Sequence, residues 1–342
     1  MAAIKNKAPK AETRGAFRRL NCEELVTMPK SYSNDPKKST TFLTDFSEKD
    51  KPWDTHRASA SGVERMYAGG PEDFASLVAR MQQCSGVLGF ARATDAGTGE
   101  IKYKLKTARF CRVRHCPVCV WRRSMRNKAR FLKVLPELLE AHPGHRFLFL
   151  TLTVPNGDIT SLRATLIEMN LAWKRLIKRK EFSKVDGWVR STEVTYSKSP
   201  AGDTHPHFHV FLMVKPSYFS HGYVKQAAWL TAWQEAMRDP SISQVDIRAM
   251  KGEKAIAEVL KYAVKEADLV ESPAWLFDLT RQCHKMRFIA AGGLLKNMLK
   301  EKVTEQEMIA GDDAEQENPE SKISLLATWL PGAKRYGARA VL

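Results

Sequence analysis

The sequence predicts an α+β fold, in which a central, mainly antiparallel β-sheet is flanked by helices and preceded by a small zinc-binding module. Three observations predict it. Two strand-like runs, residues 187–196 and 207–214, are separated by a short stretch with Pro200 and Gly202, the pattern of a hairpin. Apolar residues at helical spacing fill the segments between the strand-like runs. Four cysteines, Cys84, Cys111, Cys116 and Cys119, include a Cys116-Pro117-Val118-Cys119 knuckle, a common geometry for structural Zn2+.

In chain order, residues 1–60 are polar, rich in Lys, Ser, Asp and Pro, and lack periodicity, so they read as a flexible basic N-terminal arm. Residues 61–130 read as a helix followed by the basic cysteine module. The helix covers about 71–84, with Phe74, Leu77, Val78 and Met81 on one face and Pro71, Glu72 and Asp73 at its start. Residues 104–130 contain ten basic residues and no acid, with Phe110 and Trp121 interleaved. Arg112, Arg114, Arg122, Arg123 and Arg126 are therefore candidate phosphate contacts. The two aromatics fit either base stacking or the core.

Residues 131–300 read as the main domain. A strand, Arg146–Thr153, precedes a Pro155-Asn156-Gly157 turn. A long helix over 158–180 turns Leu162, Leu166, Met169, Trp173 and Leu176 inward. Its basic end, with Lys174 and Arg175, fits a second DNA contact or a solvated helix end. The hairpin follows, then a helix over 224–237, a strand over 244–250 and a helix over 253–266. Residues 301–342 read as an acidic linker and C-terminal tail, because 301–320 hold eight acids against one lysine before a short apolar end.

The charge points to the partner. Fifty-five Lys and Arg against 38 Asp and Glu leave a net charge of +17, which attracts a polyanion, nucleic acid before anionic membrane. No apolar run reaches the ~18–20 residues that span a bilayer, and no apolar segment follows the basic N-terminus as in a secretory signal. The expectation is a cytoplasmic protein without a membrane partner, whose clustered cysteines bind metal rather than form disulfides.

Two constellations carry chemistry. His207 and His209 are two apart on a strand, so both imidazoles face the same way while Phe208 faces the core. Glu193, one hairpin away, can face them, and a mixed His/carboxylate site suits Mg2+ or Mn2+. The plainer alternatives are a titrating histidine pair and a Glu193–arginine pair. Glu258 and Tyr262 are one helical turn apart, with Lys265 bordering Tyr262. A nucleophilic tyrosine needs a nearby cation or base, which Lys265 and Glu258 supply; a surface Tyr–Glu pair fits the segment equally well.

In combination these motifs resemble the HUH endonuclease superfamily, and specifically the single-tyrosine rolling-circle plasmid replication initiators, or Rep proteins. Phe149-Leu150-Thr151-Leu152-Thr153-Val154-Pro155-Asn156 resembles the first motif. His205-Pro206-His207-Phe208-His209-Val210 resembles the histidine motif, and Glu258-x-x-Lys261-Tyr262-x-x-Lys265 the tyrosine motif. The segment 287–294, with Gly292-Gly293, and the cysteine cluster are also similar. The likeness covers roughly residues 84–300. It implies an HUH fold, a divalent metal on His207 and His209, Tyr262 as the nucleophile that nicks one DNA strand, and Glu258 as the base for a terminating cut. It further implies single-stranded and supercoiled origin DNA as substrate, a host helicase and DNA polymerase as partners, and a bacterial cytoplasm. The alternatives are an HUH transposase acting at transposon ends, and a zinc-dependent DNA-binding repressor with a dead nuclease site.

Overall fold

Two antiparallel sheets, of four and five strands, share one long helix. The computed structural model describes residues 40–94, 99, 101–199, 202–250, 264–303 and 322–341. All secondary structure among them lies in one unit, Thr41–Leu342.

The chain enters through α1 (Leu43–Phe46), α2 (Lys51–Ala68) and α3 (Ala75–Gln82). Phe74 and Met81 are buried and Leu77 and Val78 half-buried, the face that helical spacing predicts. β1 (Val87–Thr94) and β2 (Ile101–Ala108) follow, then α4 (Pro117–Ala141), which starts with proline at its first turn, where the missing N–H costs nothing. The second half runs β3 (Arg146–Thr153), α5 (Leu162–Leu176), β4 (Val185–Ser199), β5 (Gly202–Val214), α6 (Gln226–Met237), β6 (Val245–Ala249), α7 (Pro273–Gln282) and β7 (Ile289–Gly293). A final hairpin comprises β8 (Ile323–Leu330) and β9 (Arg335–Ala340).

The five-stranded sheet has the order β6-β3-β5-β4-β7, every neighbouring pair antiparallel. Alternation along the strands gives it two faces. Leu148, Leu150 and Leu152 of β3 and Phe208, Val210 and Leu212 of β5 are buried in the core shared with α5 and α6, where all five residues predicted to point inward from α5 are buried. Each such side chain stabilises the fold by roughly 1.5–3 kcal/mol. The opposite face carries Phe149, Val189, Phe211 and Met213, covered by Phe131, Leu135 and Leu138 of α4. Beyond that cover, the same face carries the two histidines. The mainly antiparallel α+β architecture expected from the sequence is thus present.

Three expectations differ from the structure. The basic arm was drawn to residue 60, but α2 begins at Lys51, and Trp53 and Ala60 are buried. Its apolar residues lie far apart among polar ones, which hides the helix. The boundary at residue 130 cuts α4 in two, because the acid-free run reads as a loop. The apolar end of the acidic tail is neither linker nor tail: β8 pairs with β1, giving a four-stranded sheet of order β2-β1-β8-β9. Tyr336, fully buried, donates from its hydroxyl to the Ser85 carbonyl (2.6 Å), and its amide donates to Asp54 Oδ1 (2.8 Å). Strand pairing across the whole chain is invisible to local periodicity.

Candidate metal centre on the five-stranded sheet

Register places the histidines. His207 lies opposite Glu193 on β4 and Thr153 on β3, and His209 opposite Ser191 and Thr151. Directly paired residues share a face, so both imidazoles meet the Glu193 carboxylate over the centre of the sheet. Glu193 Oε2 lies 3.2 Å from His207 Nε2 and 2.8 Å from His209 Nε2, and the two Nε2 atoms are 3.1 Å apart. These side chains are recessed but reachable, at 13%, 12% and 16% exposure for Glu193, His207 and His209.

The geometry fits a divalent cation. Adjacent ligands of an octahedral Mg2+, at bonds of 2.0–2.1 Å, lie about 3.0 Å apart, close to the three separations here. The far ring nitrogens are engaged: His207 Nδ1–H can donate to the His205 carbonyl (3.3 Å) and His209 Nδ1–H to Thr151 Oγ1 (3.3 Å). That tautomer leaves both Nε2 lone pairs on the Glu193 side. Burial alone would raise the Glu193 carboxyl; with the ring N–H groups on Nε2 instead, hydrogen bonds and charge from His207 and His209 outweigh it and hold the group below the usual carboxylate range. Below the sheet, Arg190 is buried with its guanidinium 4.0 Å from the Phe208 ring centre and Nη2 donating to Asn170 Oδ1 (2.5 Å). Neither Thr151 nor Arg190 was singled out from the sequence; Thr151 could have been, since it shares the phase of the histidine face on β3.

Glu258 and Tyr262 lie outside the described residues. The described chain resumes at Val264, and Lys265 is exposed. Glu266 accepts from His56 Nδ1 (2.6 Å), and Asp268 Oδ2 accepts from the Tyr196 amide (3.0 Å), at the β4 end beyond Glu193.

The four predicted cysteines converge on a second cluster. Cys84 follows α3, Cys111 follows β2, and Cys116 and Cys119 open α4. The Cys84–Cys116, Cys84–Cys119 and Cys111–Cys119 sulfurs are 3.7, 3.7 and 3.5 Å apart, and none is in a disulfide. Tetrahedral Zn2+ with 2.3 Å bonds to sulfur requires about 3.8 Å between ligands. The amides of Cys111, Arg112 and Val113 donate to Cys84, Cys119 and Cys111 Sγ at 3.4, 3.3 and 3.4 Å, the environment thiolates need. Among the described residues, His115 is not part of this cluster.

The candidate DNA contacts divide. Arg112 and Arg126 are exposed and Arg123 is half-buried. Arg114 is partly committed, donating to the Met286 carbonyl (2.5 Å) over the Phe288 ring. Arg122 is corrected outright: it is 3% exposed and packs against Trp53, Phe110 and Trp121 at 5.4–5.8 Å, where burial pushes its guanidinium down to about 10. It cannot reach a phosphate from there, and Trp121 is partly buried, packed against the core. Lys174 and Arg175 ride on α5, against the face opposite the histidines. Lys174 is exposed, whereas Arg175 binds Glu168 and donates to the Ala236 carbonyl (2.6 Å).

Against known proteins, the family described as "Replication protein" matches residues 102–337. The chain is 36% identical over 235 residues to a "Protein rep" of Streptococcus pneumoniae serotype 2 (strain D39 / NCTC 7466), covering 66% of this chain and 72% of that one. It is 33% identical over 289 residues to a "Protein rep" of Bacillus amyloliquefaciens, covering 75% and 83%. For a "Protein rep" of Lentilactobacillus hilgardii the identity is 34% over 277 residues, covering 75% and 86%. No solved structure matches the chain.

Proposed function

The chain belongs to the family of replication proteins that its motif order resembles, and on that footing we propose that it initiates rolling-circle plasmid replication by nicking one strand of the origin. The observation that carries the reading is the Glu193, His207 and His209 cluster, whose spacing and open side suit a cation that also binds a phosphate. We propose an HUH-type site here, with Mg2+ or Mn2+ as the cation and Zn2+ on Cys84, Cys111, Cys116 and Cys119.

The cation, when bound, neutralises charge on the scissile phosphate. Glu193, His207 and His209 hold it, while Thr151 and the His205 carbonyl fix the two rings. The Tyr262 phenol oxygen attacks phosphorus in line as its proton leaves. The bond from phosphorus to the 3′ oxygen breaks, that oxygen takes a proton, and a 3′-hydroxyl results. The 5′ phosphate remains on Tyr262 as an ester, so the strand can be rejoined. The described chain resumes two residues beyond Tyr262, tied at Glu266 to α2 and at Asp268 to the end of β4. Glu258 serves as the base that activates water for the terminating cut, and Lys265 borders the nucleophile. The 3′ end primes a host polymerase, with a host helicase opening the duplex.

The test is incubation with supercoiled plasmid bearing the gene's own flanking DNA and Mn2+, with mass spectrometry of a 5′-DNA adduct. The wild-type chain gives nicked circles and an adduct. Tyr262→Phe gives neither, and His207→Ala slows nicking by more than about a hundredfold. Glu258→Ala keeps the first nick and loses termination. An unmodified wild-type chain together with intact plasmid would refute the reading.

A further inference from the structure

A groove of about 430 Å3 runs between α4 and the β4–β7 edge of the five-stranded sheet. Arg114, Arg123, Arg126 and Arg130 line it from the helix and the turn before it, and Arg287 from the segment before β7. Among the described residues, no carboxylate lines it and none pairs with Arg123, Arg126 or Arg287. One wall includes Ser191, the cross-strand partner of His209, so the groove opens beside the Glu193, His207 and His209 cluster and on the same face.

We propose that this groove holds the sugar–phosphate backbone of the single DNA strand being nicked, to one side of the scissile phosphate; the proposal rests on the nicking reading above. Five cations gathered around one cleft repel one another; Glu301 partly offsets Arg130, but among the described residues no carboxylate pairs with Arg123, Arg126 or Arg287, so a polyanion complements the site. Burial and the nearby Arg126 charge already push the Arg130 guanidinium down, and burial and Arg123 do the same to Arg114. Arg123, Arg126 and Arg130 sit at i, i+3 and i+7 on α4, a span of about 10 Å along the helix, enough for two or three consecutive phosphates. The cleft is too small for a duplex. Ser191 joins the groove to the metal face, so the strand threads from the arginines to the histidines without leaving the surface. The partial engagement of Arg114 and Arg130, which donates from Nε to the Glu301 carbonyl (2.8 Å), fixes the floor of the groove. The exposed Arg126 and Arg287 and the half-buried Arg123 are left to bind.

The test is fluorescence anisotropy of a labelled oligothymidylate with the full zinc-loaded chain across a salt series. The double variant Arg123→Gln/Arg126→Gln should bind about tenfold more weakly, and its slope of log affinity against log salt should flatten by about 1.4, at ~0.7 per lost phosphate contact on a single strand. Arg287→Gln, on a separate segment, should flatten it by about 0.7 and covers the case in which the α4 variant misfolds. Lys334→Gln, at an exposed position in the turn between β8 and β9, should leave both affinity and slope unchanged. Wild-type affinity and slope in folded arginine variants would overturn the proposal, as would an equal loss of slope on a duplex of the same length. The outcomes separate from those of nicking. A chain that shows the slope losses but forms no adduct keeps the groove and loses the nuclease. A chain that forms the adduct while its arginine variants bind normally does the reverse.

Discussion

His209 is fixed from three sides: its Nε2 faces Glu193, its Nδ1 faces Thr151, and its backbone is locked between β3 and β4. Thr151→Val keeps the shape of that side chain and removes the oxygen. Isothermal titration should then show Mn2+ binding weakened by about tenfold with the fold intact, the usual cost of losing a partner that orients a ligand. Arg122 shows the opposite use of a polar group. Its guanidinium replaces an apolar side chain inside an aromatic box, and Arg122→Gln should lower stability by about 2 kcal/mol in thermal or urea melts, whereas Arg112→Gln at an exposed position should change it by less than ~0.5 kcal/mol. The histidine pair was legible because a period of two fixes which side chains share a face. The burial of Arg122 was not. It sits in a run dense in arginine, and the ring that encloses it from α2, Trp53, lies in a segment that carries no periodic signal.

At the scale of elements, α4 does three jobs along one axis. Its first turn carries Cys116 and Cys119, its middle carries the groove arginines, and its last turns place Phe131, Leu135 and Leu138 on the histidine sheet. Stripping the cysteine site should therefore disturb more than a loop. Chelation should release one zinc per chain, read by atomic absorption, and lower the melting temperature, with Cys119→Ser giving the same result. The β4–β7 edge depends on a different residue. Gly293 has φ +59°, and a Cβ there would lie 2.0 Å from the Asp186 carbonyl oxygen, so Gly293→Ala should cost more than about 1 kcal/mol in a denaturant melt. The strands β3, β4, β5 and β6 and the helices α5 and α6 were legible, since their apolar spacing is local and regular, whereas β1, β2, β8 and β9 were not. Nor was α4: its buried residues, from Pro117 to Phe131, alternate with its arginines, and one of those arginines, Arg122, is itself buried, so charge masks the inward face.

Taken whole, the molecule is held by its last strands. Leu325, Ala327, Trp329 and Tyr336 are all buried, and at roughly 1.5–3 kcal/mol for each of the three large side chains their loss is comparable to the entire stability of an ordinary domain. A chain ending before Ile323 should therefore be insoluble or unfolded by circular dichroism, with the cysteine cluster unable to retain metal, although every expected site residue is still present. The net charge of +17 acts at this scale as well, attracting DNA from a distance, and no helix among the described residues is long and apolar enough to cross a membrane. The sequence made the family legible through the order of its motifs. It did not reveal that the last strands meet β1, because two central strands from distant segments carry no mark of their pairing.

That meeting has a consequence in time. Phe90 pairs early with Leu105 of β2 but must wait for Leu325 before β1 has its second neighbour, so the four-stranded sheet cannot close until β8 has been synthesised. Pairings so distant in sequence close slowly, and the first two strands leave the ribosome with an unpaired edge. A newly made copy should thus acquire protease resistance in this region only after release, in a late step. Pulse-labelled translation with limited proteolysis would show this as a lag between the last residue added and the first resistant fragment.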